Sequence, residues 1–205
     1  AMTRAGRTVD VLVKVDVGFH RCGIDPDPAT AVPFIVDVAN LPGLNLKGIL
    51  SHAGQAYQAT SAEHLQAIAE AEAGILQQLA TRAREQGVQI DELSAGDTPT
   101  ARFSLRQDWI TEFRCGNYVY FDRTQVGLGA ASLDDCALTV LATVVSKPAA
   151  DRLILDCGSK TLSSDGARGF TPLPGHGTVI TGAAAAQDLV VERLSEEHGV
   201  VRVAS

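Results

Sequence analysis

Arg21 and His52 are the first residues of the chain whose types suit the binding of an anionic aromatic molecule. Arg21 lies in GFHRCGI (18–24), where glycines permit a tight turn and the guanidinium can donate to an anionic oxygen. His52 lies in SHAGQAY (51–57), whose imidazole and Tyr57 phenol can pack on an aromatic ring or hydrogen-bond to it. Taken singly, each segment is also compatible with an ordinary turn and a packed histidine.

Two later segments carry the small residues and hydroxyls that suit a phosphate group. GDTPT (96–100) combines exposed backbone N–H groups with threonine hydroxyls, although an ordinary proline-containing turn has the same composition. In RCGNY (114–118), Gly116 allows the backbone to approach a ligand closely. The occurrence of all four segments in one chain is more specific than any one of them.

Each of these segments follows a predicted strand, which is why they are expected to meet. The apolar, β-branched strands alternate with two helical patterns, 29–40 and 61–86, and Pro33 fits the first of these only near its first turn. This alternation predicts a parallel sheet, and parallel α/β folds bind ligands at the carboxyl ends of their strands. The predicted strands are 11–17, 44–50, 88–93 and a strand within 110–113.

The pattern changes after Asp122, where short apolar segments follow one another without an amphipathic helix. Such a pattern predicts a mainly antiparallel β domain. We therefore predict an α/β plus β chain, in which 126–205 is the β domain. Residues 1–125 are expected to be about the second half of a (β/α)8 TIM-type barrel or, failing that, a different open sheet. The predicted strands of the second part are 137–146, 152–157, 178–181, 189–194 and 200–203.

Composition and charge exclude several classes of partner. The 205 residues have a formal net charge of −7 with acidic and basic residues interspersed, so no basic surface for nucleic acid is expected. No apolar run reaches membrane-spanning length, and four cysteines without a CxxC pair favour free thiols in a cytoplasmic protein. His20 and Cys22 have metal-ligand spacing, but no second cluster lies nearby, so we predict no metal site in this chain.

With these segments in their order, the sequence resembles the alanine-racemase-like, fold-type III pyridoxal-phosphate enzymes, and within them the D-threonine aldolase and D-serine dehydratase branch. The resemblance covers almost the whole chain, and the glycine-, histidine- and threonine-containing loops carry it. The matching stretches are VKVDVGFHRCGI (13–24), GILSHAGQAY (48–57), SAGDTPTA (94–101), RCGNYVYFD (114–122), LDCGSKTLSSD (155–165) and LSEEHG (194–199).

The resemblance implies a pyridoxal-phosphate-binding barrel, a dehydratase-type β domain and a homodimer. It places Arg21 near the phenolic oxygen of the cofactor, His52 on the pyridine ring and Tyr57 beside the cofactor, so that His52 and Tyr57 are the expected catalytic residues. It assigns Thr98, Gly116 and Asn117 to the phosphate-binding loops. Arg114 occupies the position that faces the pyridine nitrogen in racemases, a use that this branch need not share.

Two features of the family are missing. The Schiff-base lysine lies in the first barrel strand, upstream of anything present here, and the divalent-metal pair follows the LSEEHG stretch. The chain is therefore expected to be truncated at both ends and to have no turnover by itself, with Zn or Mn bound only in the intact parent. None of the four lysines matches that of the family: Lys14, Lys47, Lys147 and Lys160.

The resemblance leaves three functions open. The first is a lyase that cleaves or dehydrates β-hydroxy-D-amino acids through pyridoxal phosphate, with a divalent metal on the substrate hydroxyl. The second is a racemase, which would need a tyrosine in its β domain, whereas Tyr57, Tyr118 and Tyr120 all precede residue 126. The third is a fragment of this fold without catalytic activity.

Overall fold

Four short apolar strands in the first part of the chain build a parallel sheet. A computed structural model describes residues 3–182 and 184–204 of the chain. The strands lie in the order β1-β2-β3-β4, and all three neighbouring pairs are parallel, as the alternating pattern predicts. Their bounds are β1 (Val9–Lys14), β2 (Leu44–Leu50), β3 (Glu92–Ala95) and β4 (Glu112–Phe113).

Three helices connect these strands, and the sequence accounts for their ends. The helices are α1 (Pro28–Asn40), α2 (Ala62–Glu85) and the single turn α3 (Ala101–Ser104). The Ser61 hydroxyl accepts a hydrogen bond from the His64 N–H at 3.1 Å and caps α2, which satisfies one donor that the first turn leaves unpaired. Both long helices lie where the apolar periodicity predicts them.

Two predicted details differ from the structure. Pro33 lies at the sixth residue of α1, beyond its first turn, and its exposed position limits the loss to one backbone hydrogen bond on the solvent side. The strand predicted at 88–93 begins at Glu92, because residues 88–90 have buried side chains at 88 and 90 but no ladder partner. The apolar residues at 88 and 90 are therefore buried in the core without being part of the β2–β3 ladder.

The core of the first unit lies between the sheet and the inner faces of α1 and α2. Its largest side chains are fully buried, and each such side chain contributes about 1.5–3 kcal/mol to folding. They include Ile35, Ile49, Leu65, Leu76 and Leu79.

The chain divides into two units, the first ending at Tyr118 and the second beginning at Val119. The second unit opens with α4 (Arg123–Gly127) and contains an antiparallel sheet in the order β5-β6-β9-β8-β7, which confirms the predicted change of architecture. The assignment of 1–125 and 126–205 to two domains stays a prediction. The strands are β5 (Val144–Ala149), β6 (Arg152–Leu155), β7 (Thr178–Thr181), β8 (Ala184–Leu194) and β9 (Gly199–Val203).

Helix α4 holds the long connection between β6 and β7. The Arg123 guanidinium donates to the carbonyl oxygens of Pro174 at 2.7 Å and Gly175 at 2.8 Å. The Thr171 N–H donates to the Gly127 carbonyl at 3.0 Å. Residues 156–177 thus depend on α4 for part of their order, although they form no strand or helix themselves.

Four 3-10 turns and one exposed segment complete the description of the backbone. The turns lie at Thr3–Ala5, Gly54–Gln58, Asn117–Val119 and Leu133–Asp135. The exposed segment, 137–143, was predicted as the start of a strand, yet it lies before β5 with Leu138 and Leu141 exposed. Across residues 3–182 and 184–204, no helix is both long and apolar enough to cross a bilayer.

Candidate functional site

The four segments singled out in the sequence all begin at the carboxyl edge of the parallel sheet. GFHRCGI follows β1, SHAGQAY follows β2, GDTPT follows β3 and RCGNY follows β4. Because the strands are parallel neighbours, their four following loops meet along one edge. That edge is the candidate site.

The loop after β1 is closed at its base and presents Arg21 at its tip. The Asp16 N–H donates to the Ile24 carbonyl at 2.9 Å, and the Ile24 N–H donates to the Lys14 carbonyl at 2.9 Å. Within the loop, the Asp16 carboxylate accepts hydrogen bonds from the N–H groups of Gly18 and His20, each at 3.0 Å. The bond from His20 is the main reason that the pKa of Asp16 is lowered, and a charged Asp16 keeps the turn closed.

Phe19 connects Arg21 to His52. The Arg21 guanidinium carbon lies 5.4 Å from the centroid of the Phe19 ring, a cation–π contact. The same ring meets the His52 imidazole edge-on at a centroid distance of 5.6 Å. A Cβ atom on Gly54 would lie 2.6 Å from Cδ1 of Phe19, so only glycine fits under the ring.

His52 is half-buried and lies among cations. Burial lowers the pKa of the His52 imidazole, and the positive charges of Arg21, Lys14 and Arg114 lower it further. The ring is therefore neutral at neutral pH, which suits stacking on an aromatic group better than carrying charge. Burial also lowers the pKa of Lys14, with Arg114 and Arg21 acting in the same direction.

Tyr57 lies half-buried in the 3-10 turn Gly54–Gln58. Within the same turn, the Gln55 amide donates to the Val17 carbonyl at 2.8 Å and ties the loop after β2 to the loop after β1. The two loops therefore hold their positions through two independent contacts, one aromatic and one polar.

The loops after β3 and β4 are also joined, through Thr98. The Asn117 N–H donates to the Thr98 hydroxyl oxygen at 3.1 Å. Gly96 has φ +113°, a conformation that glycine adopts without strain, and it turns the chain sharply out of β3. Gly116 is exposed, and a Cβ atom placed on it would meet no atom within 4 Å, so its backbone is open to a ligand.

Arg114 bonds to the protein rather than projecting freely. Its Nε donates to the Ser94 hydroxyl at 2.7 Å, and its Nη2 donates to the Ser51 carbonyl. Three strand ends are thereby linked by one guanidinium, since Ser51 follows β2, Ser94 lies in β3 and Arg114 follows β4. The planar fork of arginine makes such a multiple contact possible.

Sequence reasoning missed two buried carboxyl groups behind the site. Glu72 of α2 is 1% exposed and accepts a hydrogen bond from the Ser51 hydroxyl at 2.6 Å. Asp97 is 3% exposed, and its Oδ1 accepts bonds from the N–H and hydroxyl of Thr100, each at 3.1 Å. Glu72 had a visible signal, because it falls on the apolar face of α2 four residues after Ile68 and four before Leu76.

The structure brings five of the predicted site residues together in two groups, while Tyr57 lies in the turn after β2. Arg21 and His52 meet through Phe19, whereas Thr98 and Asn117 contact each other directly beside Gly116. Their ligand-binding and catalytic roles stay predictions. Over the described part of the chain, no group of three or more His, Cys, Asp or Glu residues is arranged to hold a metal ion.

Two family models match the chain in succession. The alanine racemase N-terminal domain matches residues 1–124, and the putative serine dehydratase domain matches residues 137–205. The first match covers more than half of the chain and contains all four candidate loops.

Curated proteins and solved structures similar to this chain include D-threonine aldolase and D-threo-3-hydroxyaspartate dehydratase. The chain is 34% identical over 209 residues to a D-threonine aldolase from Arthrobacter sp, covering 99% of this chain and 51% of that protein. It is 36% identical over 162 residues to a D-threo-3-hydroxyaspartate dehydratase from Delftia sp. (strain HT23), covering 78% and 42%. A solved mutant of D-threo-3-hydroxyaspartate dehydratase in the metal-free form superposes with a TM-score of 0.89 at 32% identity, over 98% of this chain and 54% of that one. The chain thus spans about half the length of these relatives.

Proposed function

The chain belongs to the family of the alanine racemase N-terminal domain, and on that premise we propose that it forms part of a pyridoxal-phosphate-dependent, divalent-metal-assisted lyase. The substrates are β-hydroxy-D-amino acids, which the enzyme cleaves as an aldolase or dehydrates. The observation that carries this proposal is the meeting of a guanidinium, a neutral imidazole and an amide–hydroxyl loop pair at one edge of a parallel sheet. The names of the relatives support the reaction class.

The residues at this edge fit a phosphorylated pyridine. Gly116 leaves open space where a side chain would stand, and Thr98 and Asn117 bring a hydroxyl and a backbone N–H beside it. Such small, donor-rich loops suit phosphate. The imidazole of His52 offers a flat face, its lowered pKa keeps it uncharged, and the cation of Arg21 contacts the same Phe19 ring as His52 does.

Each residue then has a defined task. Thr98, Gly116 and Asn117 would hold the phosphate, and His52 would pack on the pyridine ring. Arg21 would lie near the phenolic oxygen, and Tyr57 would lie beside the cofactor. When bound, the cofactor supplies an electron sink for the bond broken at the substrate α-carbon.

The lysine that would bind the cofactor aldehyde has no counterpart among the four lysines of this chain. Lys14 is the last residue of β1, and its charge reaches His52, but it does not match the position of the family lysine. We propose that the chain by itself binds the cofactor weakly and does not turn over substrate. Covalent anchoring normally adds to the affinity that loops and stacking provide.

The metal, Zn or Mn, lies outside the described residues in this proposal, and the metal-free form of the solved relative supports the use of a metal in the family. A divalent cation would bind the β-hydroxyl and favour its departure or its deprotonation.

The proposal extends to the complete fold of the protein and to its oligomeric state. We propose that the parallel sheet is about half of a (β/α)8 barrel and that the whole protein is a cytoplasmic homodimer, with a domain boundary near residue 125. The raw edges of a four-stranded parallel sheet support completion by further strands. Free cysteines at Cys22, Cys115, Cys136 and Cys157 support a reducing compartment.

The test uses the natural protein that carries this sequence, with D-threonine and D-serine as substrates and their L-isomers as controls. Glycine plus acetaldehyde from D-threonine identifies an aldolase, and pyruvate from D-serine identifies a dehydratase. Either activity should fall on addition of a chelator and recover with Zn or Mn. Turnover of the L-isomers, or interconversion of D- and L-alanine without cleavage, would contradict the proposal.

A further inference from the structure

Asp97 of the GDTPT loop and Glu72 of α2 are both buried, and the negative charge of Glu72 acts on Asp97. In each carboxyl, one oxygen accepts a side-chain hydrogen bond: Asp97 Oδ1 from Thr100 and Glu72 Oε1 from Ser51. Asp97 Oδ1 also accepts from the Thr100 N–H. The second oxygens, Asp97 Oδ2 and Glu72 Oε2, are buried and have no hydrogen-bond partner within the described chain. Two unshielded negative charges in such a place cost several kcal/mol, so the pair retains a proton.

The surroundings decide which carboxyl keeps that proton. Burial raises the pKa of Glu72, but the hydrogen bonds from the Ser51 hydroxyl and the Gly96 N–H favour its charged form, and the positive charges of Arg114 and Lys14 act in the same direction. No cation acts comparably on Asp97, whose pKa burial raises to about 7, with the negative charge of Glu72 adding to the effect. The proton therefore resides on Asp97 below neutral pH.

We propose that Asp97 is a positioning residue that couples proton binding to anion binding in the GDTPT loop: protonated Asp97 admits an anion at Thr98 and Asn117, and ionised Asp97 expels it. The inference rests on the proposed function, because the cofactor phosphate is the anion that this loop would hold. Thr98 follows Asp97 in the chain, so the anion and the carboxylate would be close neighbours. Reciprocity then requires that anion binding also raise the proton affinity of Asp97.

The other titratable groups around Asp97 leave the sign of the effect unchanged. The charge of Glu72 acts on Asp97, and the Cys115 thiol donates to the Asp97 carbonyl at 3.4 Å. Lys14 and Arg114 act on Glu72. Burial lowers the pKa of the His52 imidazole and raises that of the Cys115 thiol. Rising pH can only remove positive charge from the imidazole or add negative charge to the thiol, and either change weakens anion binding in the same direction as ionised Asp97. Burial lowers the pKa of Lys14, and its loss of charge at higher pH would also weaken anion binding.

The experiment measures sulfate affinity of the full chain by calorimetric titration at constant ionic strength. Sulfate is chosen because it keeps two negative charges throughout this pH range, so any change of affinity with pH comes from titration of the protein. For the unaltered chain, affinity is expected to fall about tenfold from pH 6 to pH 8.5. Asp97→Asn, a neutral isostere, should keep at every pH the sulfate affinity that the unaltered chain has at pH 6. Glu72→Gln removes a negative charge that raises the pKa of Asp97, so the pH at which the affinity has fallen by half should be lower.

Asp27→Asn is the matched control, because Asp27 also accepts a backbone N–H, from Ala29 at 3.0 Å, but is exposed and caps α1 rather than belonging to the GDTPT loop. It should reproduce the profile of the unaltered chain. Equal profiles for the unaltered chain and Asp97→Asn would overturn the inference. A ¹³C NMR titration of the Asp97 carboxyl in the ligand-free chain tests it without any variant, since titration in the ordinary aspartate range would also overturn it.

Failure of the proposed function gives a different result. If sulfate binds with the expected pH dependence but pyridoxal phosphate does not compete, the cofactor assignment is wrong and the coupling stands. If pyridoxal phosphate competes while the profiles of the unaltered chain and Asp97→Asn coincide, the coupling is wrong and the cofactor assignment stands. Absence of sulfate binding at every pH would contradict both.

Discussion

The rings of Phe19 and His52 meet edge-on, with centroids 5.6 Å apart and planes at 84°. This contact joins the loop after β1 to the loop after β2, and Gly54 makes it possible by leaving room for the phenyl ring. The orientation of the histidine is therefore set by a residue of another loop rather than by its own backbone alone. Anything that displaces Phe19 should displace the face that His52 offers to a ligand.

Gly54→Ala tests this dependence. The added Cβ would lie 2.6 Å from Phe19, so the ring must move, and we expect a loss of about 1–3 kcal/mol in the free energy of unfolding. Gly74→Ala is the matched control, because Gly74 lies inside α2 with no atom within 4 Å of its added Cβ. That variant should gain up to about 1 kcal/mol. Chemical denaturation measures both, and equal effects of the two substitutions would refute the close packing.

Asp97→Asn should change how stability depends on pH. Folding raises the pKa of Asp97 from 3.8 to about 7, so the folded state binds the proton more tightly than the unfolded state. Its contribution is fully present below about pH 4 and is lost as the pH rises through 7, by up to about 4 kcal/mol. The asparagine variant lacks this loss, so the unfolding free energy of the unaltered chain should fall relative to that of the variant from pH 4 to pH 7. A constant difference would show that Asp97 titrates normally.

Arg114→Lys should loosen the edge of the sheet. Lysine cannot donate to the Ser94 hydroxyl and the Ser51 carbonyl at once, so we expect a loss of about 1–2 kcal/mol in the free energy of unfolding. Amide hydrogen exchange should accelerate around Ser51 and His52. Arg82→Lys, on an exposed position of α2, serves as the control and should leave both measurements unchanged.

Thr98→Val removes one hydroxyl without changing the shape of the side chain. The Asn117 N–H then loses its acceptor, and the ligand loses a donor, so pyridoxal phosphate affinity should fall about tenfold. Equilibrium dialysis of the full chain measures the affinity. Thr81→Val, on the outer face of α2, makes the same chemical change away from the loops and should leave the affinity as it is. An unaltered affinity in Thr98→Val would remove that loop from the phosphate site.

The sequence predicted those parts of the fold that local pattern controls. Ser61 and the apolar positions of α2 mark a helix whatever surrounds them, and the strand 44–50 has the bounds that its residues suggest. The strand at Val88 was placed too early because its apolar residues are buried without pairing, and burial and pairing look alike in sequence.

The candidate site was predicted only in its outer layer. Arg21, His52, Thr98 and Asn117 stand in loops with recognisable small residues, so their types and positions indicate a ligand edge. Phe19 was not predicted, because its role depends on Gly54, which lies 35 residues away and reveals nothing about its neighbour. Such contacts follow from the pairing of strands and become visible only when the sheet is assembled.

The attachment of α4 has a consequence for the synthesis of the chain. Arg123 binds carbonyl groups that lie 51 and 52 residues further along, so the ribosome adds its partners long after it has added the arginine. A helix of five residues does not persist alone in water. Helix α4 therefore becomes ordered only after Pro174 and Gly175 have left the ribosome, although it is the first helix of its unit.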